Sequence, residues 1–403
     1  MRHLLIGLLL LFIHASAQAQ EDNPPRPGDF DGGYLFIGPG DVLKFKGYAQ
    51  VDTYLPFGNS PNLSEFLVRR ARFAVTGFFH EKFRYMLYVR MDRGKVELNE
   101  AFLESRHLPF ARFRVGQFKV PFSQSNLQSS AQIDFVSRAF MIENFSPAYD
   151  IGAMVFGEDK QKIFNYATGL FNGEGRNKPE NNNGKTVIGR VVLMPFASFK
   201  SSIVGQVHLG ASFSHGRQKN NFSKASYKLP TESAVLSYSD SVQQGGSVTI
   251  FGYDLEWLIK NVGIRAEYLR YTAENLVRNG GAANLKADGY YLAATYVLTG
   301  EGKKSNANVK PNKPLDAKRT GWGAFELAAR YEMSHLPDAA LLANLANGTN
   351  GLHAATAGIN WYVNDDVKVV LNYTRYVFNQ PINNDGRWYT KSHLLQLRFQ
   401  YQF

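Results

Sequence analysis

The sequence predicts an all-β protein, a transmembrane antiparallel β-barrel of about sixteen strands. Three observations predict it: strands with one apolar and one polar face, connections that alternate between short and long, and an export signal without any apolar membrane-spanning helix. The last ten residues, LLQLRFQYQF, show the first observation most clearly. Side chains of a strand alternate between its faces, and here leucines and aromatic residues oppose Arg398 and three glutamines. One such strand also fits a soluble β-sandwich, so the remaining chain must decide.

The N-terminus predicts export. A basic start and a ten-residue apolar core, Leu4 to Ile13, precede small residues suited to cleavage, and we assign residues 1–19 to a signal peptide. The core is too short to cross a bilayer as a helix, and no later segment approaches the roughly eighteen apolar residues required. Residues 20–41, rich in proline, glycine and aspartate, are expected to form an irregular periplasmic tail before a barrel of residues 42–403.

The composition narrows the class of protein. The 403-residue chain contains no cysteine, so neither disulfides nor cysteine-bound zinc stabilise it. Its 30 phenylalanines and 21 tyrosines, against 4 tryptophans, suit the aromatic belts at the membrane surfaces. The formal net charge of +11 falls to +10 without the signal peptide. This surplus favours anionic partners, and for an exported chain we expect anionic solutes or outer-membrane lipid, including lipopolysaccharide, and no nucleic acid.

After the tail, strand follows strand without a convincing amphipathic helix. In the second and third predicted strands, apolar residues on one face alternate with arginine-bearing positions on the other, and the turn 80–82 joins them as a hairpin. The sixteen predicted strands span residues 42–55, 67–79, 83–91, 96–106, 110–119, 151–156, 163–170, 186–193, 202–214, 247–258, 262–272, 287–298, 323–333, 353–363, 367–378 and 388–403. An even number in this range is typical of bacterial outer-membrane barrels.

The lengths of the connections support the barrel independently. Counted from the N-terminus, the even connections are mostly short: residues 80–82, 107–109, 157–160, 259–261 and 364–366. The odd connections are mostly long: residues 56–66, 121–149, 171–185, 215–246, 273–286, 334–352 and 379–387. Outer-membrane barrels have short periplasmic turns and long extracellular loops, whereas a sandwich has no reason to sort its loops this way. The exception is Thr299 to Gly321, a long lysine-rich turn whose charges are not expected to line the constriction.

Four segments resemble the phosphate-selective porin O/P family. They are RVGQFKVPFS (residues 114–123), GYYLAATYVLTGE (289–301), WGAFELAARYE (322–332) and GINWYVNDDVKVVLNYT (358–374). The resemblance extends from about Val42 to Phe403. It implies a sixteen-stranded barrel, usually a homotrimer, that passes anions such as phosphate. It also implies insertion by the barrel-assembly machinery, with Phe403 as the assembly signal, and members carry a long segment after the same LTGE sequence.

The polar face of each predicted strand is expected to line the lumen. Guanidinium groups stay charged at all relevant pH values and present paired donors to phosphate or carboxylate. The arginines that strand alternation places there are Arg70, Arg72, Arg84, Arg90, Arg112, Arg114, Arg190, Arg265, Arg330 and Arg398. Those of residues 67–79, 83–91 and 110–119 should cluster on one wall, because barrel neighbours are sequence neighbours.

An alternative reading of these arginines is a transverse field without anion selectivity. In that arrangement, lumenal arginines pair with carboxylates across the channel. The candidate partners are Glu100 or Glu104, Glu267, Glu326 and Glu332. The sequence leaves the two interpretations open.

The connection 121–149 is the third long loop, which in this architecture commonly folds inward and narrows the pore. Its segment 135–145 can form a short helix. The resemblance implies lysines at the constriction of phosphate-selective members, but this loop offers Arg138 as its sole basic residue, against Asp134 and Glu143. We therefore expect a preference for anions, with Arg138 at the constriction, and phosphate selectivity does not follow.

Catalytic motifs do not accompany these features. His80-Glu81 lacks the second histidine of a metalloprotease helix, Gly184-Lys185-Thr186 lacks the first glycine of a phosphate loop, and no Gly-x-Ser-x-Gly elbow occurs. We expect no enzyme, no metal and no cofactor. The sequence predicts an outer-membrane porin for passive diffusion of small anionic solutes through an arginine-lined, water-filled pore. The alternatives are a non-selective porin and a barrel that acts mainly as a surface adhesin or structural protein.

Overall fold

The computed structural model describes residues 30–31, 34–38, 41–58, 60–61, 63–92, 94–197, 206–222, 225–278, 281–316 and 320–403. The predicted signal peptide, residues 1–19, lies outside the described residues. In the described ranges, no helix is long and apolar enough to cross a membrane.

Sixteen antiparallel strands form a closed barrel. Each pairs with its neighbours in sequence, and the last pairs with the first, from Gln402 opposite Tyr48 to His393 opposite Phe57. The strands are β1 Asp41–Phe57, β2 Glu65–Phe79, β3 Phe83–Asp92, β4 Lys95–Ser105, β5 Arg112–Lys119, β6 Tyr149–Glu158, β7 Phe164–Phe171, β8 Thr186–Leu193, β9 Gln206–Arg217, β10 Ser247–Ile259, β11 Val262–Arg278, β12 Gly281–Val297, β13 Ala324–His335, β14 Gly351–Tyr362, β15 Val367–Asn384 and β16 Arg387–Gln402. Closure pairs the edges that an open sheet would expose, and it confirms the predicted fold class.

Burial alternates along the strands as the sequence pattern requires. In β16, Gln396 and Arg398 are buried inside the barrel, whereas Phe399 and Tyr401 are each 53 % exposed on the outside. In β10, Glu256 is fully buried and Phe251 is exposed. The exposed apolar and aromatic residues form the outward-facing belt that contacts lipid in a membrane barrel.

Short turns lie at the periplasmic rim and long loops at the other, with two differences from the prediction. The predicted loops 273–286 and 379–387 are mostly strand: β11 and β12 continue to residues 278 and 281, and β15 and β16 to residues 384 and 387. The register shifts within both hairpins, after Ala273 and after Val377. A register irregularity of this kind interrupts the two-residue alternation. The strands predicted from that alternation therefore ended before the observed ones.

The N-terminal tail contains strand structure where the sequence predicted an irregular segment. Residues Tyr34–Gly38 pair antiparallel with the start of β1, with Tyr34 opposite Lys44. Because β16 covers β1 only from Tyr48 onward, the first residues of β1 would otherwise have an unpaired edge. The short strand supplies the missing backbone hydrogen bonds.

A small cap covers part of the extracellular side. The connection between β9 and β10 contributes two short strands, Ser226–Lys228 and Ala234–Tyr238, and Ala346–Gly348 completes a three-stranded sheet. In the described part of the chain, three short helices lie between strands: α1 Gln124–Leu127, α2 Phe140–Phe145 and α3 Asp338–Leu342. The Phe145 ring packs against the cap, with its centroid 4.2 Å from that of Tyr227.

Candidate pore and constriction loop

Residues 121–149, which we name the constriction loop after their predicted role, contact the inner face of the barrel. Backbone carbonyls of the loop accept hydrogen bonds from side chains on the barrel wall. The bonds run from Gln50 Nε2 to Ser130 O, from Gln400 Nε2 to Ala131 O, from Lys368 Nζ to Ile133 O and from Asn360 Nδ2 to Asp134 O, each 2.9 Å long. Irregular backbone at membrane depth is stable only when its polar groups find such partners.

The following part of the loop is apolar and buried. Phe135 and Val136 are at least nine-tenths buried, and α2 forms only the second half of the segment 135–145 that was predicted as helical. The Val136 backbone N–H donates to Asn372 Oδ1 at 2.7 Å, and Ser137 O accepts from Arg330 Nη1 at 2.8 Å. These backbone groups are bonded to the barrel wall, so the helix begins only after them.

Asp134 is the main electrostatic anchor of the loop. Its carboxylate forms an ion pair with Arg265 of β11 and a second, at 3.1 Å, with Lys303 Nζ. Burial alone would raise the pKa of Asp134, but Arg265, Lys303 and Lys368 together outweigh burial and hold its pKa well below the usual range. The carboxylate therefore remains ionised and paired at neutral pH.

The segment 299–321 corrects one prediction. It was expected to form a turn whose lysines lie away from the constriction, yet Lys303 is buried in the barrel and bridges Asp134 and Glu326. The Lys303 backbone N–H donates to Lys260 O at 2.8 Å, which directs the segment into the periplasmic mouth. Two buried carboxylates close together require cations, and Lys303 supplies one between them.

The constriction loop leaves open a cavity of about 940 Å³, the vestibule, against the wall formed by β1 to β8. It lies toward the periplasmic rim, since residues next to the short turns, such as Arg84 and Glu158, line it. Among the described residues its basic lining comprises Lys44, Lys46, Arg72, Arg84, Arg112, Arg114, Lys119 and Arg190. Its acidic lining comprises Glu100, Glu158 and Asp366.

Carboxylates on the same wall hold the vestibule arginines. Glu104 accepts two hydrogen bonds from Arg114, at 3.0 and 2.6 Å. The other pairs are Arg72 with Asp92 at 2.9 Å, Arg112 with Glu158 at 3.1 Å, Arg190 with Asp254 at 2.5 Å and Arg84 with Glu104 at 3.7 Å. The partners come from the same side of the barrel, so these pairs do not span the channel as the transverse-field alternative would have them.

Apart from Arg90 and Arg398, which pair with Glu97 and Asp52, the predicted site arginines fall into three locations. Arg72, Arg84, Arg112, Arg114 and Arg190 line the vestibule. Arg70 and Arg138 line a second cavity of about 210 Å³ beneath the extracellular cap. Arg265 and Arg330 bond to the constriction loop itself.

Arg138 is engaged by its own loop. Its guanidinium donates to Ser125 O and Gln128 O, both at 2.9 Å, and to Ser130 Oγ at 3.3 Å. This residue was predicted at the constriction as an anion ligand. In the structure its donors stabilise the turn of the loop around α1.

The sequence reasoning missed four basic residues of the barrel strands that the structure places at the two cavities. Lys44 and Lys46 are two residues apart and both lie on the inner face of β1, so the alternation of the strand could have identified them. Lys119 ends β5, and its Nζ donates to Leu127 O at 3.0 Å. Arg69 joins Arg70 in the smaller cavity because the register between β1 and β2 shifts there. Strict alternation excludes that placement.

The comparisons with known proteins agree with this architecture. A model of the phosphate-selective porin O and P family matches residues 45–403. Porin O of Pseudomonas aeruginosa is 28 % identical over 171 residues, which cover 41 % of this chain and 37 % of that protein.

Among solved structures, OmpT of Vibrio cholerae matches in its in-vitro folded form with a TM-score of 0.59, at 12 % identity and over 91 % of this chain and 98 % of that one. Its trimer form matches with a TM-score of 0.57, at 13 % identity and over 90 % of this chain and 99 % of that one. The anion-selective porin from Comamonas acidovorans matches with a TM-score of 0.52, at 10 % identity and over 90 % of this chain and 100 % of that one. The fold is thus that of outer-membrane porins, and the chain belongs to the phosphate-selective porin O and P family.

Proposed function

We propose that this porin passes small anions in preference to cations through the vestibule wall formed by β1 to β8. One observation carries the proposal: eight basic side chains against three acidic ones line the vestibule among the described residues. The carboxylate of Glu104 is buried behind Arg114, since its side chain is 1 % exposed and that of Arg114 is 16 % exposed. At this position a solute therefore meets the cation first.

The arrangement suits conduction as well as attraction. Several paired, partly exposed arginines give a series of weak sites, and conduction requires binding that is favourable but not tight. Concave walls of one charge sign also raise the local concentration of the opposite ion. Because Arg138 is occupied by its own loop, we propose a preference for small anions, phosphate among them, without a dedicated phosphate site.

Ion substitution in planar bilayers tests this proposal. With the reconstituted protein in KCl, replacing chloride by a large impermeant anion should remove most of the current. Replacing potassium by a large impermeant cation should leave most of it. The opposite result would contradict anion preference, and equal losses would favour the non-selective porin.

Glu100 provides a prediction of increased selectivity. It lines the vestibule together with Lys119, Arg114, Lys46 and Arg84, and it makes no ion pair within 4 Å in the described part of the chain. At about 8 Å in water a unit charge is worth about 0.5 kcal/mol and acts with opposite sign on the two ions, so Glu100→Gln should raise the chloride-to-potassium permeability ratio about fivefold. Zero-current potentials measure this ratio, with Glu81→Gln in the exposed turn as control. An unchanged ratio would place Glu100 outside the ion path, and a lower ratio would contradict anion preference through the vestibule.

The family and the fold place the protein in the outer membrane, and we propose export by the signal peptide, insertion by the barrel-assembly machinery and assembly as a homotrimer. The trimer form of OmpT supports the oligomeric state. The basic surplus suits contact with lipopolysaccharide. Light scattering of the detergent-solubilised protein tests the trimer, for which a monomer mass would be the contrary result.

Phe403 is the proposed assembly signal, and its position makes the test specific. The Phe403 backbone N–H donates to Gly47 O at 3.0 Å and Gly47 N–H donates back at 3.1 Å, so the last residue pairs with β1. Its ring lies against Gly47, where a side chain would clash. Phe403→Ala should lower several-fold the amount of folded barrel in outer-membrane fractions, with Phe399→Ala as the lipid-facing control. Equal lowering by both variants would remove any special role from Phe403.

A further inference from the structure

Aromatic rings cover the guanidinium groups at one part of the vestibule wall. The Arg114 Cζ atom lies 4.3 Å from the centroid of Phe102 and 4.9 Å from that of Phe156. Arg84 Cζ lies 5.5 Å from the Phe102 centroid, and Arg112 Cζ lies 5.9 Å from the Phe156 centroid. Three arginines and two rings therefore form one mixed surface, which we name the arginine–aromatic wall.

The neighbouring lining is also apolar where a porin lumen is ordinarily polar. Met86 and Met154 line the vestibule beside the arginine–aromatic wall, and Val192 and Tyr166 continue the surface. Methionine side chains are flexible and form favourable contacts with aromatic rings. For an inorganic anion such a surface provides no ligand, since the anion must keep its water or receive polar donors.

The charged groups of the wall are held but not enclosed. Glu104, with a side chain 1 % exposed, fixes Arg114 through two hydrogen bonds. Arg84 has a looser contact with the same carboxylate, at 3.7 Å, and its side chain is 26 % exposed. Arg84 and Arg112 are therefore the most accessible cations next to the rings. Phe102 is only 6 % exposed whereas Phe156 is half-buried, so a solute meets chiefly the Phe156 ring beside a guanidinium.

We propose that the arginine–aromatic wall is a binding site for organic anions that combine one small oxyanion group with a flat apolar body. The oxyanion takes charge-assisted hydrogen bonds from guanidinium, while the body gains contact with aromatic and methionine side chains. This inference deepens the proposed function and depends on it, because an anion must first be admitted to the vestibule.

A pair of probes with the same charged group tests the arginine–aromatic wall as a binding site separately from the proposed anion preference. Phenylphosphonate and methylphosphonate differ in the apolar body, and each is added to single channels conducting KCl. Phenylphosphonate should interrupt the chloride current at concentrations at least tenfold lower than methylphosphonate. Equal blocking concentrations in a channel that remains anion-selective would overturn the wall as a binding site and leave the proposed function intact. Cation selectivity of the unblocked channel would overturn both.

Ring variants locate the site. Phe102→Leu with Phe156→Leu keeps apolar side chains but removes both aromatic faces, and it should reduce the tenfold difference between the probes to less than threefold. Phe113→Leu alters an exposed ring on the outer face of β5 and should retain the difference. If the double variant fails to fold, Phe156→Leu alone should give an intermediate ratio. An unchanged ratio in a folded variant would assign the preference to another part of the pore.

Discussion

Replacing Arg112 and Arg114 with glutamate is expected to reverse the ion preference of the channel. The two substitutions change four units of charge on the vestibule wall. At about 8 Å in water this amounts to about 2 kcal/mol against a passing chloride and about 2 kcal/mol in favour of a passing potassium ion, so the chloride-to-potassium permeability ratio should fall about 700-fold. Zero-current potentials of single channels in a KCl gradient measure the ratio directly.

Two further variants keep this result interpretable. Arg387→Glu makes the same charge change per residue, two units, at the exposed end of β16 and should leave the ratio unchanged. Glu104 and Glu158 would repel the new glutamates, so the variant with Arg112→Gln and Arg114→Gln serves if the charge-reversed barrel fails to fold. That neutral variant should lower the ratio about thirtyfold. A ratio unaffected in a folded channel would place these arginines away from the ion path.

Asp134→Asn is expected to release the constriction loop. The substitution conserves shape but leaves Arg265 and Lys303 with one buried carboxylate fewer, and Glu256 and Glu326 remain as their partners. Breaking a buried ion pair costs about 3 kcal/mol at the lower end of the usual range. Single-channel recordings should therefore show frequent steps to higher conductance as the loop leaves the lumen, together with a lower free energy of unfolding.

The pH dependence of this anchor follows from the lowered pKa of Asp134. A carboxylate whose pKa is lower in the folded than in the unfolded state contributes stability above its ordinary pKa, and loses it as pH falls through the folded value. The wild-type channel should therefore show no added high-conductance steps between pH 7 and pH 4.5, a range above the ordinary value of 3.8.

The matched control for Asp134→Asn is Asp159→Asn, which makes the same substitution in an exposed turn. A quiet Asp134→Asn channel would show that the backbone hydrogen bonds alone hold the loop.

The barrel was predictable because its physical cause is local. Each strand must present one face to lipid and one to the lumen, and this requirement produces the two-residue alternation that LLQLRFQYQF displays. The inner placement of Arg112 and Arg114 comes from the same rule. Where the register shifts, as at Ala273 and at Arg69, the rule fails and strict alternation assigns the next residues to the wrong face.

The contacts inside the barrel were not predictable for a different reason. Asp134 is separated from Arg265 by 131 residues and from Lys303 by 169, and no periodicity connects residues on a loop to those on a distant strand. Lys303 in particular lies just after a periplasmic turn, so its entry into the barrel depends on the tertiary fold. The same holds for Arg138, whose guanidinium bonds to its own loop rather than to the lumen.

The zero-current potential of the wild-type protein tests the central claim most directly. Purified protein is inserted into a planar bilayer between tenfold different KCl concentrations. Anion preference through the vestibule wall predicts that the dilute side becomes negative, because chloride crosses faster than potassium. A positive dilute side would mean that potassium crosses faster and would contradict the account.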